Sequence, residues 1–282
     1  MKKGLILEGG ALRGLFSAGV IDVMMENGIE FDGLVGVSAG AAFGCNYKSR
    51  QPGRVIRYNK RLAHNWRYCS FKSLLLTGDI FGAKYDYHTL PEQLDKFDTK
   101  AFDQNPMEFY AVCTDLLTGG PVYKQLMHHS YECYEWIRAS ASMPLASRVV
   151  KVDGRKVLDG GIADSIPLKF FEHKGYDRNV VVLTQPLGFV KKPNPLMPLI
   201  RMRLHRYPMF LKAAAERHLM YNAETDYVCQ QERAGRAFVI RPARTLPIHH
   251  ITHDTELMQQ VYDEGRATMQ ARLSELKKFL AE

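Results

Sequence analysis

Ser38 stands between two glycines in Val35-Gly36-Val37-Ser38-Ala39-Gly40. A serine in the G-x-S-x-G pattern, at a sharp turn from strand to helix, is presented as a nucleophile for acyl transfer. Gly36 and Gly40 lack a Cβ, so the turn can be tight and closely packed while Ser38 is held in a strained backbone conformation. At a helix N-terminus the serine also lies where free N–H groups and the helix dipole favour developing negative charge. Earlier in the chain, Glu8-Gly9-Gly10-Ala11-Leu12-Arg13-Gly14 makes a second glycine-rich turn. Such a loop can bind a dinucleotide, but G-x-G-x-x-G counted from Gly9 requires glycine at 11, where alanine stands. Nor does an acidic residue close the next strand to take a ribose hydroxyl; Ser38 is there instead. The other use of the loop is an oxyanion hole, with N–H groups of Gly9, Gly10, Ala11, Arg13 and Gly14 converging on a carbonyl oxygen that gains charge. One such donor contributes about 3 kcal/mol of transition-state stabilisation.

A serine of ordinary acidity needs a base, and histidine is the usual one. The chain has ten histidines, none in a setting built for the task. His128 and His129 fall in a loop, His173 ends a helix, and His205 and His218 lie in a basic C-terminal stretch. His249, His250 and His253 read either as a metal cluster or as a polar loop before the last helix. Asp159 differs, because it ends a strand and is followed by Gly160 and Gly161, which permit close backbone approach. A carboxylate there would share a sheet edge with Ser38; taken alone, Asp-Gly-Gly is equally a simple turn.

The elements that must position these residues follow from hydrophobic periodicity. Lys3 to Leu7 reads as a strand that runs into the glycine loop, and Leu15, Phe16, Val20, Val23 and Met24 recur at helical spacing until Asn27-Gly28 stops the helix. Phe31–Val37 is the strand before the serine, and residues 39–47 the helix after it. Two consecutive βα units imply a parallel sheet covered by helices, with both special turns at the carboxyl edge. Residues 52–97 read as mostly helical, 107–114 and 120–124 as strands, and 131–142 as a helix ending before Pro144. A hairpin of 148–152 and 156–158 turns at Asp153-Gly154, and a buried strand over 179–184 closes the αβ part. Beyond Pro186, prolines at 193, 195, 198 and 208 break up a Met-, Leu- and Arg-rich stretch; a helix over 209–230, a strand over 237–241 and a long helix over 255–280 follow.

Glu8–Gly14 (EGGALRG), GVSAG at 36–40 and DGG at 159–161, in that order, resemble the patatin-like phospholipase family, whose pattern is D-G-G-G-x-R/K-G, then G-x-S-x-G, then D-G-G/A. The resemblance runs from about Lys3 to Pro167, and the small-residue segment Ala139–Pro144 is similar to the one ahead of the family's DGG strand. It implies a three-layer α/β/α fold with a mainly parallel central sheet; with the change of character beyond Pro186, the expected division is a catalytic domain over 1–185 and a mostly helical basic region over 186–282 packed on it. It further implies lipid acyl hydrolysis with Ser38 as nucleophile, Asp159 as base and no catalytic histidine. The alternatives are a histidine-dependent α/β-hydrolase, in which several strands precede the elbow, and a non-catalytic nucleotide- or lipid-binding module. Three positions depart from the pattern. Glu8 replaces aspartate, Ala11 replaces a glycine, and Ser165 stands where asparagine is frequent. Ala11 keeps its N–H donor provided the loop does not require a positive φ there.

The chain has 282 residues, 46% hydrophobic and 24% charged, enough to bury a substantial core. It contains no apolar run long enough to span a membrane and no signal-peptide core, so a cytoplasmic protein is expected. Five cysteines with no C-x-x-C pair indicate buried thiols and neither zinc nor disulfides. A net charge of +8 points to an anionic partner or surface. Between 191 and 218, Lys191, Lys192, Arg201, Arg203, Arg206, Lys212 and Arg217 are interleaved with apolar residues against one acid, Glu216. That stretch reads as a peripheral contact with the inner membrane surface, or as packed helices with a solvated basic face. An acyl-ester lipid is the expected substrate, with no cofactor, metal or nucleic acid.

Overall fold

The computed structural model describes residues 1–249 and 251–281. Its first half runs β1 (Lys2–Leu7), α1 (Gly14–Glu26), β2 (Gly33–Val37), α2 (Ala39–Lys48), α3 (Arg54–Leu62), α4 (Phe71–Thr77), a wide helical stretch at Tyr85–Leu94, and α5 (Thr99–Gln104). Next come β3 (Glu108–Asp115), β4 (Pro121–Gln125), α6 (Tyr131–Ser140), β5 (Val150–Val152) and β6 (Arg155–Asp159). The chain continues with α7 (Leu168–His173), β7 (Tyr176–Val182), α8 (Met197–Leu204), α9 (Pro208–Arg233), β8 (Ala237–Ile240), α10 (Thr255–Ala271) and α11 (Leu273–Ala281).

The strands form one sheet in the order β5-β6-β3-β2-β1-β7-β8, with β4 also on β3. β3, β2, β1, β7 and β8 are mutually parallel, whereas β4, β5 and β6 pair antiparallel. Alternate residues serve opposite faces, as the two-residue period of a strand requires. Leu5, Leu7, Leu34 and Val182 pack with α1, α2 and α10 on one side, while Ile6, Val35, Val37 and Val181 pack with α7 and α9 on the other. The result is the expected α/β fold, a sheet with helices on both faces. Because α1 leaves β1 toward one face and α9 leads to β8 on the other, a crevice opens at the carboxyl ends of β1 and β7.

α1 and α10 meet backbone to backbone. A Cβ on Gly19 would lie 2.1 Å from the Tyr262 carbonyl oxygen, and one on Gly265 2.0 Å from that of Phe16. Beside this crossing the buried Asp22 accepts from the Tyr262 hydroxyl (2.6 Å) and the Gly53 N–H (2.8 Å).

Two elements differ from expectation. The strand over 179–184 does not end the sheet, since β8 adds in parallel beyond β7; Ala237-Phe238-Val239-Ile240 is wholly buried and needs that partner. The division at 185 thus marks a change of composition, with the sheet continuing across it. The helix expected over 255–280 breaks at Arg272, whose guanidinium covers the Phe238 ring and donates to the Val239 carbonyl. No helix among the described residues is long and apolar enough to cross a membrane.

Candidate active site

Ser38 joins the end of β2 to the start of α2 with φ 55° and ψ −121°, a conformation that L-residues rarely adopt. Crowding explains the flanking glycines: a Cβ on Gly36 would be 2.4 Å from the Gly40 carbonyl oxygen, and one on Gly40 2.3 Å from that of Leu7. The elbow is anchored by a residue that motif reading passes over. Ser38 N–H donates to Ser140 Oγ (2.9 Å), and the Ser140 hydroxyl donates to the Val112 carbonyl (2.6 Å). Ser140, at the end of α6, thereby ties the elbow to β3.

Asp159 reaches the same place from an antiparallel strand. Its strand ends opposite Cys113, and the neighbouring Val112 is paired with Val37, so the last residue of β6 falls level with the elbow. The Asp159 carboxyl faces the same chamber as the Ser38 side chain and accepts the Gly161 N–H at 2.8 Å. Gly160 is pressed on the Val112 carbonyl, 2.2 Å from where a Cβ would stand. Burial pushes the Asp159 carboxyl above its ordinary range, opposed by the Arg217 charge, the nearby Ser38 hydroxyl, the Gly161 hydrogen bond and the Lys191 charge.

The glycine loop lies against the elbow, with Gly9 so close that a Cβ would be 2.8 Å from that of Ser38. Among the described residues, the N–H groups of Gly9, Gly10 and Ala11 carry no hydrogen bond. Arg13 and Gly14 depart from the sequence expectation. Arg13 N–H donates to the Gly10 carbonyl at 3.1 Å, and Gly14 N–H to the carbonyls of Ala11 and Leu12, so both amides close the helical turn and neither is available to an oxyanion. Ala11 has φ 49°, so the loop does require a left-handed residue at this position. Glu8, in place of aspartate, is buried and accepts from Thr184 N–H (2.6 Å) and the Tyr221 hydroxyl (2.7 Å). Burial raises its carboxyl above the usual range.

Much of the site's outer wall comes from α9, which sequence patterning assigned only a basic character. Arg217, Tyr221 and Glu224 are spaced on one helical face. Arg217 donates to the Gly161 carbonyl, Tyr221 to Glu8, and Glu224 accepts the N–H groups of Ser165 and Ile166, each at 3.1 Å. Glu224 also lies beside Asp164, and burial next to that carboxyl raises it to about 9. Ser165, in the position where asparagine is frequent, donates to the Gly161 carbonyl (2.9 Å) and so supports the same loop. A polar stripe at the spacing of residues 217, 221 and 224 was the available signal for this inward face.

Two cavities meet at Ser38. One, of about 200 Å³, is predominantly apolar and runs past Phe43, Tyr58, Leu90, Phe97 and Ile137 between α2, α3, the 85–94 stretch and α6. The other, of about 60 Å³, is polar and holds Glu8, Arg13, Asp159, Lys191, Arg217 and Tyr221. Ala11, Ser38 and Met143 border both. Among the described residues no histidine lines either cavity. His253 is hydrogen-bonded to the Ala63 carbonyl and stacks on His64, and His250 lies outside the described residues.

A mainly parallel sheet with a serine at a strand-to-helix elbow beside an apolar cavity is an α/β arrangement, and sequence comparison identifies the family. The chain belongs to the patatin-like phospholipases: that family's model matches residues 5–171, and a domain of unknown function, DUF6363, matches 207–281. Among its relatives is the uncharacterized protein YjjU of Escherichia coli, 26% identical over 301 residues, covering 99% of this chain and 79% of that protein. Lysophospholipase nte1 of Aspergillus oryzae is 26% identical over 199 residues, covering 68% of this chain but only 12% of the fungal protein. Among solved structures, VipD from Legionella pneumophila aligns with a TM-score of 0.49 at 12% identity, over 97% of this chain and 67% of that one. The family is one of lipid ester hydrolases.

Proposed function

We propose that the protein is a lipid acyl hydrolase working through a Ser38–Asp159 dyad. The observation that carries this reading is that Ser38, the buried Asp159 carboxyl and the glycine loop line one small chamber, with no histidine among the described residues at either cavity. An acyl chain occupies the apolar cavity and brings its ester carbonyl to Ser38. As the Ser38 oxygen attacks, its proton passes to Asp159, and the carbonyl oxygen takes the N–H groups of Gly9, Gly10 and Ala11. Asp159 returns that proton to the departing alcohol; water then attacks the acyl-enzyme by the same route and releases the fatty acid. An exposed aspartate is a weak base at neutral pH, and positioned bases contribute most when their pKa approaches the working pH. Burial raises Asp159 in that direction, while Arg217 and Lys191 oppose its protonation.

Hydrolysis of an aryl ester and labelling by a serine-directed phosphonate test the dyad. Ser38→Ala should abolish both, and Asp159→Asn should lower kcat by about 10²–10⁴-fold, the range of general-base contributions. Turnover that survives Ser38→Ala, or that a single histidine replacement removes, would refute the dyad.

We also infer a peripheral contact with anionic membranes. The turn after α4 and the helix α8 flank the 145–148 segment: Ile80 N–H donates to the Ala146 carbonyl (2.8 Å), and Arg203 to the Leu145 and Ser147 carbonyls. Ala146 and Ser147 line the apolar cavity. Around them Phe71, Leu75, Leu76 and Met202 are each at least 60% exposed, beside Lys72, Arg201 and Arg206. Apolar and cationic side chains together suit an anionic bilayer surface. Flotation with phosphatidylglycerol vesicles should exceed that with phosphatidylcholine vesicles; equal recovery would count against it.

A further inference from the structure

The polar chamber beside Ser38 holds two basic side chains, Lys191 and Arg217, that acyl transfer does not use as donors. The carboxyls beside them are already engaged by other donors, Glu8 by Thr184 and Tyr221 and Asp159 by Gly161. The Lys191 ammonium lies 4.1 Å from the centre of the Tyr221 ring and, among the described residues, makes no hydrogen bond or close ion pair, feeling Glu8 and Asp159 only across the chamber. Burial, with Arg217 and Arg13 close by, lowers it to about 8. A cation in such a place is stabilised by an arriving anion.

Position supplies the rest. Among the described residues the chamber meets the apolar cavity around Ser38, Ala11 and Met143, so an ester held at Ser38 with its chain in the apolar cavity directs its alcohol portion toward Lys191 and Arg217. The chamber is smaller than the apolar cavity and lined mainly by polar groups, which suits a compact anion better than a second acyl chain. Arginine and lysine together are the usual partners of phosphate oxygens.

We infer that Lys191 and Arg217 form a phosphate subsite on the alcohol side of the reacting ester, selecting single-chain acyl lipids whose head group is a bare phosphate, as in a monoacylglycerol phosphate. This rests on the Ser38 reading above and adds a substrate class to it. Lys191 and Arg217 both come from beyond residue 185, so the C-terminal region supplies head-group selection to the patatin-like part.

Binding of two non-hydrolysable ether probes to the full chain, below their micelle concentrations, tests the subsite by calorimetry. 1-O-Octylglycerol 3-phosphate should bind at least about tenfold more tightly than 1-O-octylglycerol, as charge-assisted phosphate contacts warrant. Lys191→Met should remove most of that advantage and Lys191→Arg should keep it; Lys151→Met, an exposed charge change on the β5–β6 hairpin, should not alter it. Equal affinity for the two probes, an advantage that persists in Lys191→Met, or an equal loss in Lys151→Met would overturn the proposal. Inorganic phosphate binding as tightly as the phosphate lipid would also overturn it, marking a site for free phosphate. Since neither probe carries an ester, a preference that holds in a protein without esterase activity would sink the dyad and leave the subsite standing.

Discussion

Replacing Ser140 by alanine should impair the elbow without touching any group that contacts substrate. The side chain is fully buried and satisfies two main-chain groups, Ser38 N–H at 2.9 Å and the Val112 carbonyl at 2.6 Å. A buried polar group stripped of its partner costs about 1–3 kcal/mol, so the change should destabilise the fold by on the order of 2–5 kcal/mol. Ser38 also holds a backbone conformation that costs about 1–3 kcal/mol, and relaxation of the freed N–H would release part of it. A shift of that size moves the hydroxyl off Asp159 in most molecules, lowering kcat/KM by about 10–100-fold at about 1.4 kcal/mol per decade. Aryl-ester kinetics at 25 °C and thermal unfolding should be read together, with Val239→Ala in the distant β8 as a variant destabilised without elbow contact. If Ser140→Ala lowers Tm while its kcat/KM stays with that of Val239→Ala, the elbow does not depend on this hydroxyl.

Ala11→Gly should raise stability by about 0.5–1 kcal/mol, because glycine accepts the φ of 49° that alanine tolerates at a cost; a lower Tm would show that the methyl's packing outweighs the strain. Asp22 is raised to about 6 by burial, so the folded state binds its proton more tightly than the unfolded chain, and stability should fall as pH rises from about 4 to about 6. Asp22→Asn should flatten that window in denaturant titrations and stabilise the protein at pH 7; an unchanged pH profile would exclude Asp22 as its source. Aryl-ester kcat/KM should fall on acidification as Asp159 gains its proton, and Lys191→Met should move this limb to higher pH by removing a charge that holds the carboxyl down. Chain ending at residue 185 should be insoluble, since it loses β8 from β7 and strips from α1 the buried Met258, Val261, Tyr262 and Met269, each contributing about 1.5–3 kcal/mol. Cooperative unfolding of a soluble 1–185 chain would contradict this.

The difference between what the sequence discloses and what it withholds follows the range of the interactions. Gly36, Ser38 and Gly40 are readable because a strand-to-helix turn is decided within six residues, and the strands are readable because a buried run must be apolar wherever its partner lies. Pairing is another matter. Nothing local to Arg155–Asp159 says that it runs antiparallel to β3, and nothing local to Ala237–Ile240 says that it extends the sheet beyond β7. The amides of Arg13 and Gly14 fail as oxyanion donors for an equally local but conformational reason, since the loop closes a helical turn at once and consumes them. Arg217, Tyr221 and Glu224 lie farther out of reach, because a polar stripe on a helix is ordinarily its solvent face. Here the same stripe is turned inward, and its three side chains hold Gly161, Glu8 and the 165–166 amides. A helix can bury such a stripe only where the facing surface offers matching donors and acceptors, and the loops around Ser38 leave main-chain groups that need partners. The polar groups that the strand-to-helix elbow and the glycine loop leave unpaired are therefore what makes room for a charged helix face, so the C-terminal region is docked by the polarity of these loops.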